Sequence, residues 1–316
     1  MNGLSTLRNN LPILILAALV VVASLLSPSF LTWNNIINLV QYNAELALVC
    51  LGLTLVIISG NGGIDLSVGA TLGLSGVVVA MYGEFLGLPG SLIVALAVGA
   101  LVGLANGLAV TKGKLEPFIA TFILASIVTA ITLLFTGGGP VLRSIPDAVE
   151  AIAGIRLSGI PLPAIYFVLT FLVGVVILRM TPYGRHLYAM GASSETVRFA
   201  GIRTDRLRIA TYMLCGALAG LAGLLTTARL GMGEPRSGIG MELTAISAVV
   251  VGGVSLYGGR GTMTGAFVGI LIFAVVLNLM NILNLSAFYQ PIAQGSIVIL
   301  AGLLLSRRKS MFLKVA

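Results

Sequence analysis

The sequence contains very little charge for its length. Only 9% of its 316 residues are Asp, Glu, Lys or Arg, whereas a soluble domain carries roughly 25%. Hydrophobic residues make up 58% of the chain, and its mean hydropathy is +1.08. Most of such a chain cannot face water, so the composition by itself predicts a membrane protein.

Residues that support catalysis or metal binding are equally scarce. The single histidine, His186, cannot form a metal cluster alone. Cys50 and Cys215 both fall inside apolar runs, which favours a core role over a disulfide or a metal pair. The chain has no phosphate-binding G-x-x-x-x-G-K-[ST] loop and no H-E-x-x-H, G-x-S-x-G or C-x-x-C motif. We therefore expect no enzyme activity, metal or cofactor here, and any ATP must be used by another polypeptide.

Long apolar segments fill most of the sequence. A bilayer core of about 30 Å needs roughly 20 apolar residues in helical conformation. Ten segments approach that length, although the eighth is short and rich in glycine. They predict an all-α polytopic membrane protein, with some broken or short helices, that forms a single transmembrane domain over residues 1–316. The predicted spans are 11–31, 36–59, 66–83, 91–111, 117–136, 161–180, 208–229, 241–257, 262–283 and 288–306.

The distribution of Lys and Arg predicts how these spans are oriented. With the N-terminus in the cytoplasm, fourteen of the eighteen basic residues fall on the cytoplasmic side and four on the other side. This excess follows the positive-inside rule. We interpret the net charge of +8 as a topology signal and expect no nucleic-acid partner. Both termini and a loop at about 181–207 are predicted to be cytoplasmic, and a loop at about 137–160 to lie outside.

The stretch SGNGGIDLSVGATLGL, residues 59–74, interrupts two apolar runs with glycines and an acid. Asp65 follows the glycine pair at the position of a helix N-cap. One interpretation is a capped tight turn. In the other, a broken helix presents Asn61, Asp65 and Ser67 to a translocation route, because irregular backbone at membrane depth requires cover from protein or water. The spacing does not decide between them.

Glu45 lies well inside the second predicted span. An acidic side chain there costs about 2.5–3.5 kcal/mol on insertion scales, so it must face the bundle interior, a cavity or a partner. Gln41 precedes it by one turn and is expected on the same face. Both a hydrogen bond to a neighbouring helix and a polar substrate path fit this pattern.

Amide side chains mark the ninth and tenth predicted spans. Asn278 and Asn281 are spaced i and i+3, and Gln290 begins the next span. An amide both donates and accepts hydrogen bonds, which suits a hydroxyl-rich ligand. Amides equally suit contacts between membrane helices. The spacing is compatible with both.

The inside loop TPYGRHLYAMGASSETVRFAGIRTDRLR contains a predicted short helix at 193–201. Ser193 is a suitable N-cap, Glu195 suits the first turn, and Gly201 can end the helix in the left-handed conformation. About seven helical residues are too few to be stable alone in water. The segment is therefore either a helix that docks against a partner or a solvated basic turn.

Three segments resemble the ribose-type sugar permeases of bacterial ABC importers: GGIDLSVGA at 62–70, YGRHLYAMGASSETVRFAGI at 183–202 and GGVSLYGGRGTMTGAFVG at 252–269. They occur in the expected order, and the similarity extends over about 11–308. The resemblance implies an inner-membrane permease that imports a small polar solute such as a monosaccharide. It also implies three partners: a cytoplasmic ABC ATPase, a periplasmic sugar-binding protein and a second permease, identical or related.

The resemblance further implies that the segment at 183–202 contacts the ATPase. The residues expected to form this coupling site are Gly191, Ser193, Glu195, Arg198 and Gly201. The candidates for the substrate path are Gln41, Glu45, Asn61, Asp65, Ser67, Asn278, Asn281 and Gln290. Two other functions stay open: an ion- or proton-coupled secondary transporter with Glu45 and Asp65 as carriers, and a channel or scaffold subunit.

The first and third motifs also resemble each other. GGIDL at 62–66 and GGVSL at 252–256 each precede a helix rich in small residues. Internal repeats are common in transporters, and chance similarity between two glycine-rich turns is the competing explanation.

Overall fold

The computed structural model describes residues 11–142, 145–297 and 299. Helices dominate this part of the chain, and its sheet is one antiparallel pair, β1 (Arg156–Leu157) and β2 (Ile160–Pro161). A short 3-10 helix spans Ala287–Tyr289. The α-helices are α1 (Leu11–Leu26), α2 (Trp33–Gln41), α3 (Ala44–Ile58), α4 (Val68–Thr111), α5 (Pro117–Thr136), α6 (Asp147–Gly154), α7 (Leu162–Met180), α8 (Pro182–Ala192), α9 (Ser194–Phe199), α10 (Thr204–Leu230), α11 (Met241–Val251) and α12 (Met263–Ile282).

Five of the described helices are long and apolar enough to cross a bilayer: α4, α5, α7, α10 and α12. The helices α2 and α3 meet at a bend of 46° and pass the same test as a pair, which brings the number to six. The apolar helices α1 and α11 are shorter, with 16 and 11 residues. The predicted span 288–306 lies partly outside the described residues. The all-α membrane class is confirmed, whereas the number ten stays a prediction.

Helix α4 consists of two helical segments that meet at a kink. Gly87 has non-helical dihedral angles (φ 62°, ψ −175°), and Pro89 follows it. A straight helix of 44 residues would measure about 66 Å, twice the bilayer core. Instead, Ser75 donates to the carbonyl of Gly220, and Ala95 packs on the same glycine. The chain therefore turns back at Gly87, as expected for the two predicted spans 66–83 and 91–111.

Helix α3 lies at the centre of the bundle, with every residue from Ala44 to Ile58 buried. The helices α7, α10, α11 and α12 all pack against it. The most extensive packing joins α4 to α10, where a Cβ at Gly99 or Gly216 would overlap the facing backbone. Small residues allow this approach where lipid provides no hydrophobic driving force. Helix α5 is mostly exposed, as expected for a lipid-facing helix.

Contacts sort the loops of the bundle onto two ends. Lys112 and Asp205 form an ion pair of 3.0 Å at one end, which we call the basic end. Val141 and Gly233 form a backbone bridge at the opposite end. Nine described Lys and Arg residues belong to the basic end and three to the opposite end, in agreement with the predicted sorting. The other basic residues lie outside the described part of the chain: Arg8, Arg143, Arg307, Arg308, Lys309 and Lys314. The predicted location of both termini falls outside it too.

Candidate functional site

Helix α11 is half the length of a membrane span and begins inside the bundle. Its 11 residues measure about 16 Å, against a bilayer core of about 30 Å. Beyond its end, the backbone nitrogen of Gly259 donates to the carbonyl of Ile58 (2.9 Å) at the basic end. The first turn of α11 therefore lies about midway through the bilayer. The predicted span 241–257 is wrong in extent, because the helix ends at Val251 before a glycine pair whose second member has φ +91°.

Non-helical backbone at residues 231–240 connects α10 to this half-helix. The segment runs back along α4, and the backbones of Pro235 and Gly238 lie against Gly73 and Gly69. Irregular backbone at membrane depth needs such cover, and glycine on α4 provides the space. Transporters place substrate sites at discontinuous helices of this kind. The sequence did not reveal the feature, because GMGEPRSGIG reads as an ordinary polar loop.

Four polar side chains form two hydrogen-bonded pairs that extend from α11 towards the opposite end; we call them the polar stripe. Thr244 donates through Oγ1 to Oε1 of Gln294 (3.4 Å). Gln290, one turn earlier in the helical segment 290–297, donates to Oδ1 of Asn281 (3.0 Å). All four side chains are at least partly exposed. Their hydroxyl and amide groups donate and accept hydrogen bonds, which suits the hydroxyls of a sugar.

The polar stripe contains two predicted path residues, Asn281 and Gln290, and two that were missed, Thr244 and Gln294. Of these two, Gln294 could have been found from its i, i+4 spacing to Gln290. The third predicted amide of this region, Asn278, lies elsewhere. It forms reciprocal hydrogen bonds of 3.0 and 2.8 Å with Asn35 on α2, which satisfies both amides as a contact between helices.

Gln41 and Glu45 do not share a helix face, so that expectation is wrong. Helix α2 ends at Gln41, and the bend at Tyr42 and Asn43 separates it from α3. The amide of Gln41 donates to Oδ1 of Asn38 (3.3 Å). Because the helix is broken between Gln41 and Glu45, their spacing of four residues does not place them on one face.

Glu45 is buried and forms an ion pair with Arg229 at the C-terminal end of α10. The Nε of Arg229 donates to Oε1 of Glu45 at 2.9 Å. Only 4% of the Glu45 side chain is exposed, against 38% for Arg229. The contact between helices that the sequence allowed is thus present, while a role of Glu45 in a substrate path stays a prediction.

The two partners of this ion pair should respond unequally to mutation. Arg229→Met leaves a buried carboxylate without its partner and should destabilise the protein by about 3 kcal/mol. Glu45→Gln leaves an arginine that can still reach solvent, so its effect should be smaller. Thermal unfolding of the purified protein measures both. The double variant should be more stable than Arg229→Met alone, and a double variant that is less stable would contradict the pairing.

Asp65 and Ser67 belong to a buried polar cluster with Asn106. The Oδ1 of Asp65 accepts from the Ser67 nitrogen (2.9 Å), the Ser67 hydroxyl (2.7 Å) and the Asn106 amide (3.2 Å). The N-cap of α4 is Ser67, so the expectation of an N-cap at Asp65 is wrong. Its carboxylate instead closes the turn that leads into the helix. Asn61 is exposed, with φ 58°. It lies outside this cluster and lines a pocket with residues of the basic end.

The glycine-rich stretch at 59–74 meets the motifs at 183–202 and 252–269 at one point, which we call the glycine junction. It consists of Gly60, Gly191, Gly258 and Gly259, packed around the end of α3. A Cβ at Gly191 would overlap the carbonyl of Ile58 and the backbone nitrogen of Gly259. Such contacts leave room only for glycine. The junction connects α8 to the core helix α3 and to the turn that precedes α12.

The predicted short helix is present as α9, and its ends have the expected chemistry. The Ser193 hydroxyl accepts from the Thr196 nitrogen (3.2 Å) and caps the first turn, which contains Glu195. Gly201 has φ +83° and donates to the carbonyl of Arg198 (3.0 Å). A bond from the next residue back to Val197 (3.3 Å) completes a Schellman motif.

Helix α8 fixes this segment to the bundle. The hydroxyl of Tyr183 hydrogen-bonds that of Thr211 on α10 (2.8 Å), and Tyr188 donates to the carbonyl of Gly261 (2.8 Å). Burial raises the pKa of Tyr183 to about 12, although the bond with Thr211 opposes the shift. The phenol is therefore protonated at neutral pH. Tyr183 thus joins α8 to α10, and Tyr188 joins it to the segment that carries Gly258 and Gly259.

Helix α9 presents an aromatic side chain to its surroundings. Val197 is buried against the chain, whereas Phe199 is 84% exposed, and Glu195 and Arg198 are exposed around it. An exposed aromatic ring on a short, well-capped helix is typical of a contact with another protein. The predicted coupling residues Ser193, Glu195, Arg198 and Gly201 thus share one element, while Gly191 lies in the glycine junction.

Replacing Gly201 should disrupt the end of α9. A Cβ there meets nothing within 4 Å, but its φ of +83° is unfavourable for valine. We expect Gly201→Val to leave membrane insertion intact and to reduce association with an ATPase subunit, measured by co-purification. Gly154→Val, at the opposite end and also without neighbours within 4 Å, is the control. Unchanged association in Gly201→Val would remove the end of α9 from the contact.

Known proteins identify the family of this chain. Residues 35–306 match the family described as branched-chain amino acid transport system / permease component. The chain is 42% identical over 301 residues to the ribose import permease RbsC of Bacillus subtilis strain 168, covering 95% of this chain and 92% of the relative.

Two further relatives agree with this match. The ribose import permease RbsC of Escherichia coli K12 is 38% identical over 298 residues, with 93% of this chain and 92% of the relative covered. The L-arabinose ABC transporter permease AraH of Azospirillum brasilense is 31% identical over 296 residues (92% and 85%). No solved structure matches the chain. The chain belongs to the permease-component family that includes these bacterial import permeases.

Proposed function

We propose that this chain is the membrane permease of an ATP-driven importer for a monosaccharide. The observation that supports it most is the polar stripe, which starts at a half-helix midway through the bilayer. Relatives named for ribose and arabinose transport support a sugar rather than an amino acid as the substrate. Neutral hydroxyl and amide groups suit a polyhydroxyl solute better than a charged one.

In this proposal the substrate path lies between two permease subunits, identical or related. The polar stripe is partly exposed on the single chain, and polar side chains at membrane depth face protein or a water-filled cavity. Thr244, Gln290, Gln294 and Asn281 then line the path, with Gln41 near its outer end. The buried residues Glu45, Asp65 and Ser67 and the partly buried Asn278 hold the helices around it.

The ATPase is a separate cytoplasmic chain that binds α9, and a periplasmic binding protein delivers the sugar. The glycine junction is the mechanical link in this proposal. A displacement of α8 and α9 moves Gly191 against Ile58 and Gly259, and thus acts on α3 and on the turn before α12. ATP binding can then favour one of two arrangements of the path, provided that the ATPase contacts them differently.

The proposed orientation in the membrane rests on the excess of Lys and Arg at the basic end. The basic end is cytoplasmic, the chain forms one unit of ten spans in the bacterial inner membrane, and residues 137–160 are periplasmic. In a cysteine-free variant, a cysteine at Ser194 should resist an impermeant thiol reagent added outside, whereas one at Asp147 should react. Both positions are described; Ser194 is exposed and Asp147 begins α6. The reverse labelling pattern would overturn this topology.

Reconstituted transport tests the function. Proteoliposomes that contain the permease, its ATPase and its binding protein should take up ribose or arabinose, but not leucine, in an ATP-dependent manner. Uptake should persist with an uncoupler while ATP is maintained. Uptake without the ATPase, driven by an ion gradient, would show an ion-coupled secondary transporter instead. Uptake of leucine alone would overturn the sugar assignment.

A further inference from the structure

A pocket at the basic end has no role in the proposed translocation. It is a cavity of about 340 Å³ between the end of α4, the start of α5 and the first turns of α10. Asn61, Lys114, Glu116, Asp205 and Arg208 are among its lining residues. Its size is within the range of small-ligand sites.

Arg208 is the unusual member of this pocket. Its Nε and Nη2 atoms are buried and meet no hydrogen-bond acceptor among the described residues. Asp205, one turn earlier on α10, is engaged by Lys112 at 3.0 Å. A guanidinium consists of donors in a fixed planar fork. Buried donors of this kind normally have a partner, so the geometry requires an anion or another acceptor in the pocket.

The balance of charge indicates an anion of low charge. The ion pair Lys112–Asp205 has no net charge, and the positive charge of Lys114 is balanced by the negative charge of Glu116. The remaining charge is that of Arg208, which matches a single negative charge such as that of a phosphodiester. The Asn61 amide adds a further donor to the lining.

The backbone supports this reading. Of the four non-glycine residues with positive φ in the described part of the chain, two, Asn61 (58°) and Lys114 (53°), line this one pocket. Such residues are uncommon, and they concentrate where a chain must hold a particular geometry.

The position of the pocket favours a lipid as the source of the phosphate. The pocket opens where α4 ends and α5 begins, at the depth of the lipid headgroups in a bundle of this orientation. Along α5, Phe118 and Phe122 are 56% and 57% exposed, with rings 6.3 Å apart and nearly parallel. This apolar surface can accommodate acyl chains directly beside the polar pocket.

We propose that this pocket binds the phosphate of an anionic phospholipid, with Arg208 as its principal ligand. The site holds the joint between α4, α5 and α10 at the cytoplasmic surface of the membrane. The inference is independent of the transported solute.

Lipid binding by the purified, delipidated chain tests the proposal. Phosphatidylglycerol should raise its thermal unfolding temperature and remain bound in native mass spectrometry. In Arg208→Gln the apparent affinity should fall at least about tenfold, as expected for one charge-assisted contact. Arg206→Gln removes an equal charge from an exposed position that does not line the pocket, and it should bind like the unmodified protein.

Further measurements distinguish a lipid phosphate from free phosphate and show whether the variant is folded. Arg208→Lys keeps the charge and should retain part of the affinity, so binding can be compared in a folded variant. Stabilisation by inorganic phosphate but not by phosphatidylglycerol would overturn the lipid assignment. Equal loss in Arg206→Gln and Arg208→Gln, or binding unaffected by either, would overturn the site. Loss of ATPase association in Arg208→Gln with unchanged lipid binding would assign the pocket to an acidic side chain of the partner and overturn the proposal.

Discussion

Gly191→Ala should reduce sugar uptake roughly tenfold or more while the protein still inserts into the membrane. The added methyl group would overlap the carbonyl of Ile58 and the backbone nitrogen of Gly259. Both neighbours are backbone atoms of the glycine junction, so neither can turn aside as a side chain could. Overpacking at such a point costs about 1–3 kcal/mol. Relief requires α8 to move away from α3, which would loosen the contact that we propose as the link between α9 and the bundle.

Uptake and stimulated ATP hydrolysis should be measured together for this variant. We expect Gly191→Ala to lower uptake more than ATP hydrolysis, because α9 keeps its surface while its connection to the path is loosened. Gly154→Ala on α6 has no atom within 4 Å of the added methyl and should behave like the unmodified protein. Normal uptake by Gly191→Ala would show that the glycine junction transmits nothing.

The short helix α9 was predictable because its determinants are local. Ser193 and Gly201 define its ends through hydrogen bonds to neighbours within five residues, and such bonds depend on the sequence nearby. The grouping of the basic loops at one end of the bundle was predictable for a similar reason, since Lys and Arg follow a rule that ignores tertiary contacts. Which side of the membrane that end faces stays a prediction. The glycine motifs were recognisable, but their meeting point was not.

The failures concern contacts between distant segments and helices that stop inside the bundle. Gln41 and Glu45 are separated by a bend that an uninterrupted polar–apolar pattern does not show. Asn106 completes the cluster around Asp65 from a position 41 residues away. The half-helix α11 is apolar enough to resemble the start of a full span, and only the packing of residues 231–240 on α4 reveals where it begins.

The half-helix α11 and the non-helical segment 231–240 before it together place free backbone groups inside the bundle. Breaking a helix at mid-depth leaves its first turn with free backbone donors, and the covered segment before it holds that turn in place. In α11 this first turn lies next to Thr244, which starts the polar stripe. Irregular backbone is thus located where a solute would need hydrogen-bond partners in a membrane. A regular helix would offer no such groups there.

Phe199→Ala should weaken binding of the ATPase subunit by about 30-fold, which corresponds to the roughly 2 kcal/mol of an aromatic hot spot. The ring is 84% exposed on α9, so its removal should leave the stability of the isolated permease unchanged. Val197 holds the helix against the chain from the other side, and the Schellman motif at Gly201 fixes its end. The aromatic side chain is therefore presented on a rigid helix, which keeps the entropy loss on binding small.

Phe85→Ala is the matched control, because it removes the same atoms from a ring that is 93% exposed at the opposite end. Titration of the ATPase against both variants, with salt varied, separates the apolar contact from attraction by nearby Arg198. The charge contribution should weaken with salt, whereas the loss caused by Phe199→Ala should not. Equal affinity of the two variants would mean that the ATPase binds elsewhere. Helix α9 would then lack its proposed partner. A signal through Gly191 to the substrate path would have to begin at another surface.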